Sequence, residues 1–166
     1  MIETGLKDKV VIVTGAAAGI GRATAERFVA EGCKVAAWDV NRAPESAGVF
    51  QEVNVANAGE VEAAVADVVD RWGSVFVLIN NAGILRDAQL VKFKDGEVVS
   101  RMTDEAWDAV IGVNLKGVFN CTRAVAPHLI AGGGGVISHT VYGRIPTGQF
   151  VATGAYGDTV IITVTY

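Results

Sequence analysis

Cysteine and histidine are scarce in this chain, two of each among 166 residues. Cys33 and Cys121 are far apart and have no metal-ligand neighbours, which excludes a disulfide framework and a structural metal site. Both read as small core or near-core residues in a reducing compartment. His128 and His139 do not pair, and both read as structural or exposed, so no metal is expected. Positive charge is also in short supply. The net charge is −4 and no basic cluster interleaves with aromatic residues, so nucleic acid is not an expected partner. No apolar run reaches membrane-spanning length, and Met1-Ile2-Glu3-Thr4-Gly5 lacks a charged-then-apolar leader pattern. A cytoplasmic chain with no membrane partner is therefore expected. What is present, 51% hydrophobic and 19% charged residues, is the composition of a soluble globular domain long enough for one sizeable core.

Glycine is plentiful, and its placement is informative. Val10-Val11-Ile12-Val13 reads as a buried strand ending at Thr14. Gly15, Gly19 and Gly21 follow, and then a helical pattern begins. A helix N-terminus offers unpaired N–H groups and partial positive charge, which suit a pyrophosphate. Glycines there keep side chains out of the turn and away from the phosphates. A second strand, Cys33 to Trp38, ends at Asp39, eighteen residues past Gly21. That is the offset at which a carboxylate meets an adenosine ribose. The spacing is G-x-x-x-G-x-G; taken with strand, helix, strand and terminal acid, it predicts nucleotide binding.

Further along, the first helix is expected from Ile20 to Ala30, with Ile20, Ala23 and Phe28 as its apolar stripe and Gly32 closing it. Phe50 to Val55 reads as a third strand. Val61, Ala64, Val65, Val68, Val69 and Trp72 recur at helical spacing, and Gly73 stops that helix. Val75 to Ile79 is a continuous apolar run suited to a parallel sheet covered on both faces, and it ends in Asn80-Asn81-Ala82-Gly83. Asp95-Gly96 predicts a hairpin turn between Val91 and Val99. Thr103 caps a helix running to Ala124, or to His128 if Pro127 merely kinks it. Its expected buried face is Trp107, Val110, Ile111, Asn114 and Val118, which places Asn114 on the apolar stripe. A buried amide must be hydrogen-bonded, and pattern alone divides evenly between a core asparagine and a functional one. Val136-Ile137-Ser138 opens a fifth strand. The alternation predicts an α/β, Rossmann-like, doubly wound parallel sheet over residues 1–138.

With Thr14-Gly15-Ala16-Ala17-Ala18-Gly19-Ile20-Gly21, Asn80-Asn81-Ala82-Gly83 and Val113-Asn114-Leu115-Lys116-Gly117 in order, residues 5–137 resemble the short-chain dehydrogenase/reductase family. The closer resemblance is to its 3-oxoacyl-acyl-carrier-protein reductase and 3-hydroxyacyl dehydrogenase members. The resemblance implies hydride transfer on a hydroxyl/ketone pair of a small-molecule substrate, such as a 3-oxoacyl thioester. It implies that Gly15, Ala18, Gly19, Ile20 and Gly21 hold the cofactor's pyrophosphate. Asp39 would bind the adenosine ribose hydroxyls and favour NAD over NADP, with Arg42 nearby. Asn54 and Val55 would sit beside the adenine, where the family usually has Asp-Val. Asn81, Ala82 and Gly83 would line the cofactor, and Asn114 would hold a water in the proton relay.

The family's chemistry also uses a serine, a tyrosine and a lysine four residues after the tyrosine. Thr140 is the best match for the serine and Tyr156 for the tyrosine, but Val160 stands where the lysine should be. No lysine occurs after Lys116. Without a nearby cation a phenol keeps a pKa of about 10 and is a poor base at neutral pH. Impaired catalysis is therefore expected, with a non-catalytic dinucleotide-binding module or an assembly piece as alternatives. The family continues past the position of Tyr166 with a helix, two strands and a substrate-covering region. A sheet cut at its fifth strand is expected to self-associate through its edge. Residues 141–166, with the β-branched run Thr159 to Tyr166, resemble the last strands of spore-coat-U/pilin-like domains and predict a C-terminal β-hairpin tail spanning 139–166.

Overall fold

The computed structural model describes residues 4–86 and 88–132. By its contacts the chain divides into Met1–Gly134 and Gly135–Tyr166. The expected fifth strand, the hairpin tail, Thr140 and Tyr156 lie outside the described residues.

The first unit opens with β1, Val10–Thr14, every residue of it buried. Helix α1, Gly19–Ala30, and strand β2, Lys34–Asp39, follow. A short 3-10 turn, Glu45–Ala47, leads into β3, Val49–Glu52. Helix α2, Ala58–Trp72, leads to β4, Val77–Ile79. The sheet order is β3-β2-β1-β4, all parallel, with Val10 opposite Lys34 and Val11 opposite Val77. The chain thus winds outward from β1 in one direction and then returns to β1's other side. That reversal between β1 and β4 is the switch point at which open α/β sheets leave a crevice.

Alternation along β1 supplies both faces. Val10 and Ile12 pack with Trp38, Val61, Val65, Val68, Cys121 and Val125. Val11 and Val13 pack on the other face with Ala16, Ala25, Ala37 and Phe28. Each such side chain contributes about 1.5–3 kcal/mol on burial. The buried side of α1 is Gly21 and Ala25, with Phe28 partly buried. Ile20 is instead 79% exposed and Ala23 is exposed too, so the expected stripe is corrected to Gly21, Ala25 and Phe28, which recur at helical spacing. β3 ends at Glu52, short of the expected Val55, since its partner among the described residues, β2, ends at Asp39. Val53 and Val55 are buried beyond the strand, after the chain has turned with Val53 N–H donating to the Asp39 carbonyl at 3.1 Å.

Asn57 caps α2, accepting from the Gly59 and Glu60 N–H groups, and Gly73 closes it in the left-handed conformation. The hairpin forms as expected, β5 Val91–Lys94 and β6 Glu97–Arg101, around Asp95 and Gly96 at φ 52° and 87°.

Helix α3, Asp104–Ile111, passes through six residues of wider π-helix, Gly112–Gly117, into α4, Val118–Ala131. Both junctions keep helical φ and ψ, so this is one rod, with Pro127 inside it. The wide turn rephases the rod. Trp107 is 56% exposed and Asn114 is exposed, while the buried positions are Gly117, Asn120, Cys121 and Val125. The expected apolar face is corrected accordingly: Asn120, not Asn114, is the buried amide. Among the described residues no helix is long and apolar enough to cross a membrane.

Candidate functional site

At the switch point, one hydroxyl joins two strand ends. Thr14 Oγ1 donates to the Ile79 carbonyl at 3.2 Å and accepts the N–H groups of Asn81 and Ala82 at 3.0 and 2.9 Å. The Asn81 amide donates back to the Thr14 and Gly15 carbonyls at 3.1 and 3.2 Å. The glycine loop and the Asn81-Ala82-Gly83 segment are therefore one bonded assembly. Thr14 ends a strand in the sequence, and only the structure reveals this joining role.

Two glycines are required by close approach. A Cβ on Gly15 would stand 2.8 Å from the Asn81 amide nitrogen and 2.9 Å from Ala82 Cα. One on Gly21 would run into the Gly15 carbonyl oxygen and the same amide. Gly19 differs: its φ is +57° and the space at its Cβ is open. It begins α1, whose N-cap is Ala18, with no capping side chain and no acid in the first turn. The helix thus presents its first-turn N–H groups beside open space, with nothing in the side chains to compete for them, and an anion fits there.

Asp39, at the end of β2, faces this loop. Its Oδ2 accepts from Ala17 N–H at 3.0 Å and its Oδ1 from Asn41 N–H at 2.9 Å. A carboxylate has about four acceptor sites, so each oxygen keeps room for a hydroxyl.

On the other side, Asn54 and Val55 lie in the connection from β3 to α2. Asn54 N–H donates to Glu60 Oε2 at 2.8 Å, and Asn54 Oδ1 accepts from Ala56 N–H at 3.0 Å. The Val55 carbonyl accepts from the Asn120 amide at 2.9 Å. Asn114, on the wide turn, pairs with the main chain of Ile84: Oδ1 accepts from its N–H at 2.8 Å and Nδ2 donates to its carbonyl at 3.0 Å. Such wide turns often mark functional positions in helices. The Asn80 amide donates to Thr122 Oγ1 at 3.3 Å.

The structure therefore brings Gly15, Ala18, Gly19, Ile20, Gly21, Asp39, Asn81 and Ala82 to one crevice. Gly83 lies beside Asn114, and the Asn54-Val55 loop meets the same helical rod at Gly117 and Asn120. Asn120 was not signalled by its periodicity, because the wide turn that brings it inward leaves no mark in the hydrophobic spacing. The thiols lie apart from this chemistry. Burial pushes Cys121 up to about 11, and burial with the Glu31 charge raises Cys33. Among the described residues no cluster of His, Cys, Asp or Glu can hold a metal. A groove of about 700 Å³ between α2 and α4, lined by Glu62, Val65, Ala124 and His128 among others, lies away from the crevice.

The short chain dehydrogenase family matches residues 9–152. Among curated proteins, the 3-oxoacyl-[acyl-carrier-protein] reductase of Thermotoga maritima is 43% identical over 136 residues, covering 75% of this chain and 52% of the relative. That of Synechocystis is 39% identical over 135 residues, 74% of this chain and 51% of the relative. Among solved structures, 3-ketoacyl-(acyl-carrier-protein) reductase from Brucella melitensis, complexed with NADH, superposes with a TM-score of 0.67 at 32% identity, covering 77% of this chain and 53% of that one. The chain spans about half the length of the curated relatives it matches. The family match runs across the expected boundary at 138 and includes Thr140 and Tyr142 but not Tyr156. The start of the expected foreign tail thus falls within the dehydrogenase match, and the coat-U-like resemblance gains no support. The family match spans well over half of the chain, and the chain belongs to the short-chain dehydrogenase/reductase family.

Proposed function

We propose that this chain binds NAD in preference to NADP in the crevice between β1 and β4. We propose further that it acts on a hydroxyl/ketone pair, with a 3-oxoacyl thioester as the substrate class. The observation that carries the reading is the bonded loop itself. Uncapped N–H groups begin α1, and Asp39 is tied to the same loop through Ala17. When bound, NADH supplies or NAD accepts the hydride. The chain's residues do the rest. Gly15, Ala18, Gly19, Ile20 and Gly21 hold the pyrophosphate, and Asp39 takes the ribose hydroxyls and repels a 2′-phosphate. Asn54 and Val55 flank the adenine, and Asn81, Ala82 and Gly83 line the path to the nicotinamide. Asn114 holds the relay water, Thr140 orients the carbonyl, and Tyr156 gives or takes the hydroxyl proton.

Val160 stands four residues after Tyr156, where the family's lysine would lower the tyrosine's pKa, so cofactor binding is expected to outlast efficient catalysis. The same missing lysine favours a second reading, a dinucleotide-binding module without turnover. Self-association through an edge of the sheet is proposed under both readings, and size-exclusion chromatography over a concentration range tests it.

Fluorescence titration with NADH and NADPH tests the binding claim: tighter binding of NADH supports it, and no binding of either removes both readings. Reduction of a 3-oxoacyl thioester then separates them. A slow rate that Asn114→Ala abolishes and Val160→Lys raises supports the enzyme. No rate above background leaves the module.

A further inference from the structure

The buried amide of Asn120 is unexplained by the proton chemistry, and it is a polar group on the buried face that it shares with Cys121 and Val125. It is 2% exposed, and it spends a hydrogen bond on one carbonyl, that of Val55, 65 residues away in sequence. One turn earlier on the same rod, Gly117 lets the helix press against the same residue; a Cβ there would stand 2.7 Å from Val55 Cγ2. The loop between β3 and α2 is thus fixed from three sides. Asn120 holds the Val55 carbonyl, Glu60 holds the Asn54 N–H, and Asn54 holds the Ala56 N–H. Apolar packing alone would bury Val55 without fixing the plane of its peptide group. A hydrogen bond to the carbonyl does fix it, and with it the direction in which the loop's remaining polar groups point.

We infer that Asn120 is a positioning residue for the adenine end of the dinucleotide site, aiming the Asn54-Val55 loop at the base through the Val55 carbonyl. This rests on the cofactor reading above. The base edge of adenine carries an amino donor beside a ring acceptor, and hypoxanthine reverses that pattern. A correctly aimed loop therefore distinguishes NADH from its hypoxanthine analogue.

The test measures both affinities on the full chain, for the unaltered protein, Asn120→Leu and Gly117→Ala, with a thermal melt to confirm folding. The unaltered protein is expected to bind NADH several-fold more tightly than the analogue. Asn120→Leu is expected to bring the ratio near unity while retaining measurable binding, since the pyrophosphate loop is untouched. Gly117→Ala, which displaces Val55 by crowding, should lower the ratio by a different route and serves if Asn120→Leu does not fold. A merely structural role for Asn120 would weaken both ligands equally and leave the ratio alone, and that result overturns the inference. An unaltered protein that binds NADH without preferring adenine overturns it too. An unaltered protein that binds neither ligand overturns the cofactor reading itself.

Discussion

Thr14 is the residue on which the crevice depends most. Its hydroxyl is buried, accepts two N–H groups and donates to one carbonyl. Thr14→Val keeps the shape and leaves Asn81 and Ala82 without their acceptor. Each buried orphan costs about 1–3 kcal/mol, so we expect a loss of about 2–4 kcal/mol in urea denaturation. Thr14→Ser should recover most of it, and equal stability of the valine and serine variants would contradict this account. Cys121 gives a pH signature. Burial raises its thiol from 9.0 to about 11 in the folded state. Below pH 9 both states keep the proton, and this thiol adds no pH dependence. Above pH 9 the unfolded thiol ionises first, so its contribution is lost up to about pH 11. Denaturation at pH 8 and pH 10.5 should show a smaller alkaline loss for Cys121→Ala than for the unaltered protein. At this scale the sequence was a partial guide. Gly15, Gly21 and Asp39 could be named because their roles follow from local spacing. Thr14 and Asn120 act across long sequence separations, and no local pattern encodes a partner 65 residues distant.

Among the elements, the β5–β6 hairpin differs from the rest. All nine of its strand residues are exposed, Phe93, Val98 and Val99 among them, and among the described residues its sheet contains two strands. Two-stranded ribbons are marginal in water, and local opening precedes cleavage. Trypsin should therefore cut first at Lys92, Lys94 or Arg101, before Lys9, Arg71 or Arg123. Mass spectrometry of early fragments checks this, and first cuts at Lys9 or Arg123 would refute it. The hairpin was legible because Asp-Gly is a strong turn signal, and α2 because its apolar spacing and Gly73 agree. The length of β3 was not, because pairing divides the stretch from Phe50 to Val55: β2 ends at Asp39, and Val53 and Val55 are buried beyond the strand. Nor was the wide turn, since Gly112–Gly117 carries no residue type that demands it.

For the whole molecule, a ligand that binds only the folded chain raises its stability by mass action. At one hundred times its dissociation constant the gain is about 2.7 kcal/mol, which for a chain of this size is a rise in Tm of roughly 5–10 °C. We expect NADH to produce this shift and NADPH a smaller one at the same concentration. Equal shifts would remove Asp39 as the selecting residue. A doubly wound parallel sheet was legible because buried runs alternating with amphipathic helices leave few topologies, while the order β3-β2-β1-β4 comes from the structure.

The wide turn in the long helical rod sets a limit on how this chain can change in length. It adds backbone between two asparagines that face different partners, Asn114 toward Ile84 and Asn120 toward Val55. Removing one residue from α4 between Val118 and Asn120 would rotate the earlier half of the rod against the later half by roughly 100°, one residue's share of an α-helical turn. No side-chain adjustment absorbs that angle, so a single deletion would uncouple the two ends of the crevice without touching a residue of either. The hairpin could gain or lose pairs of residues with no such penalty.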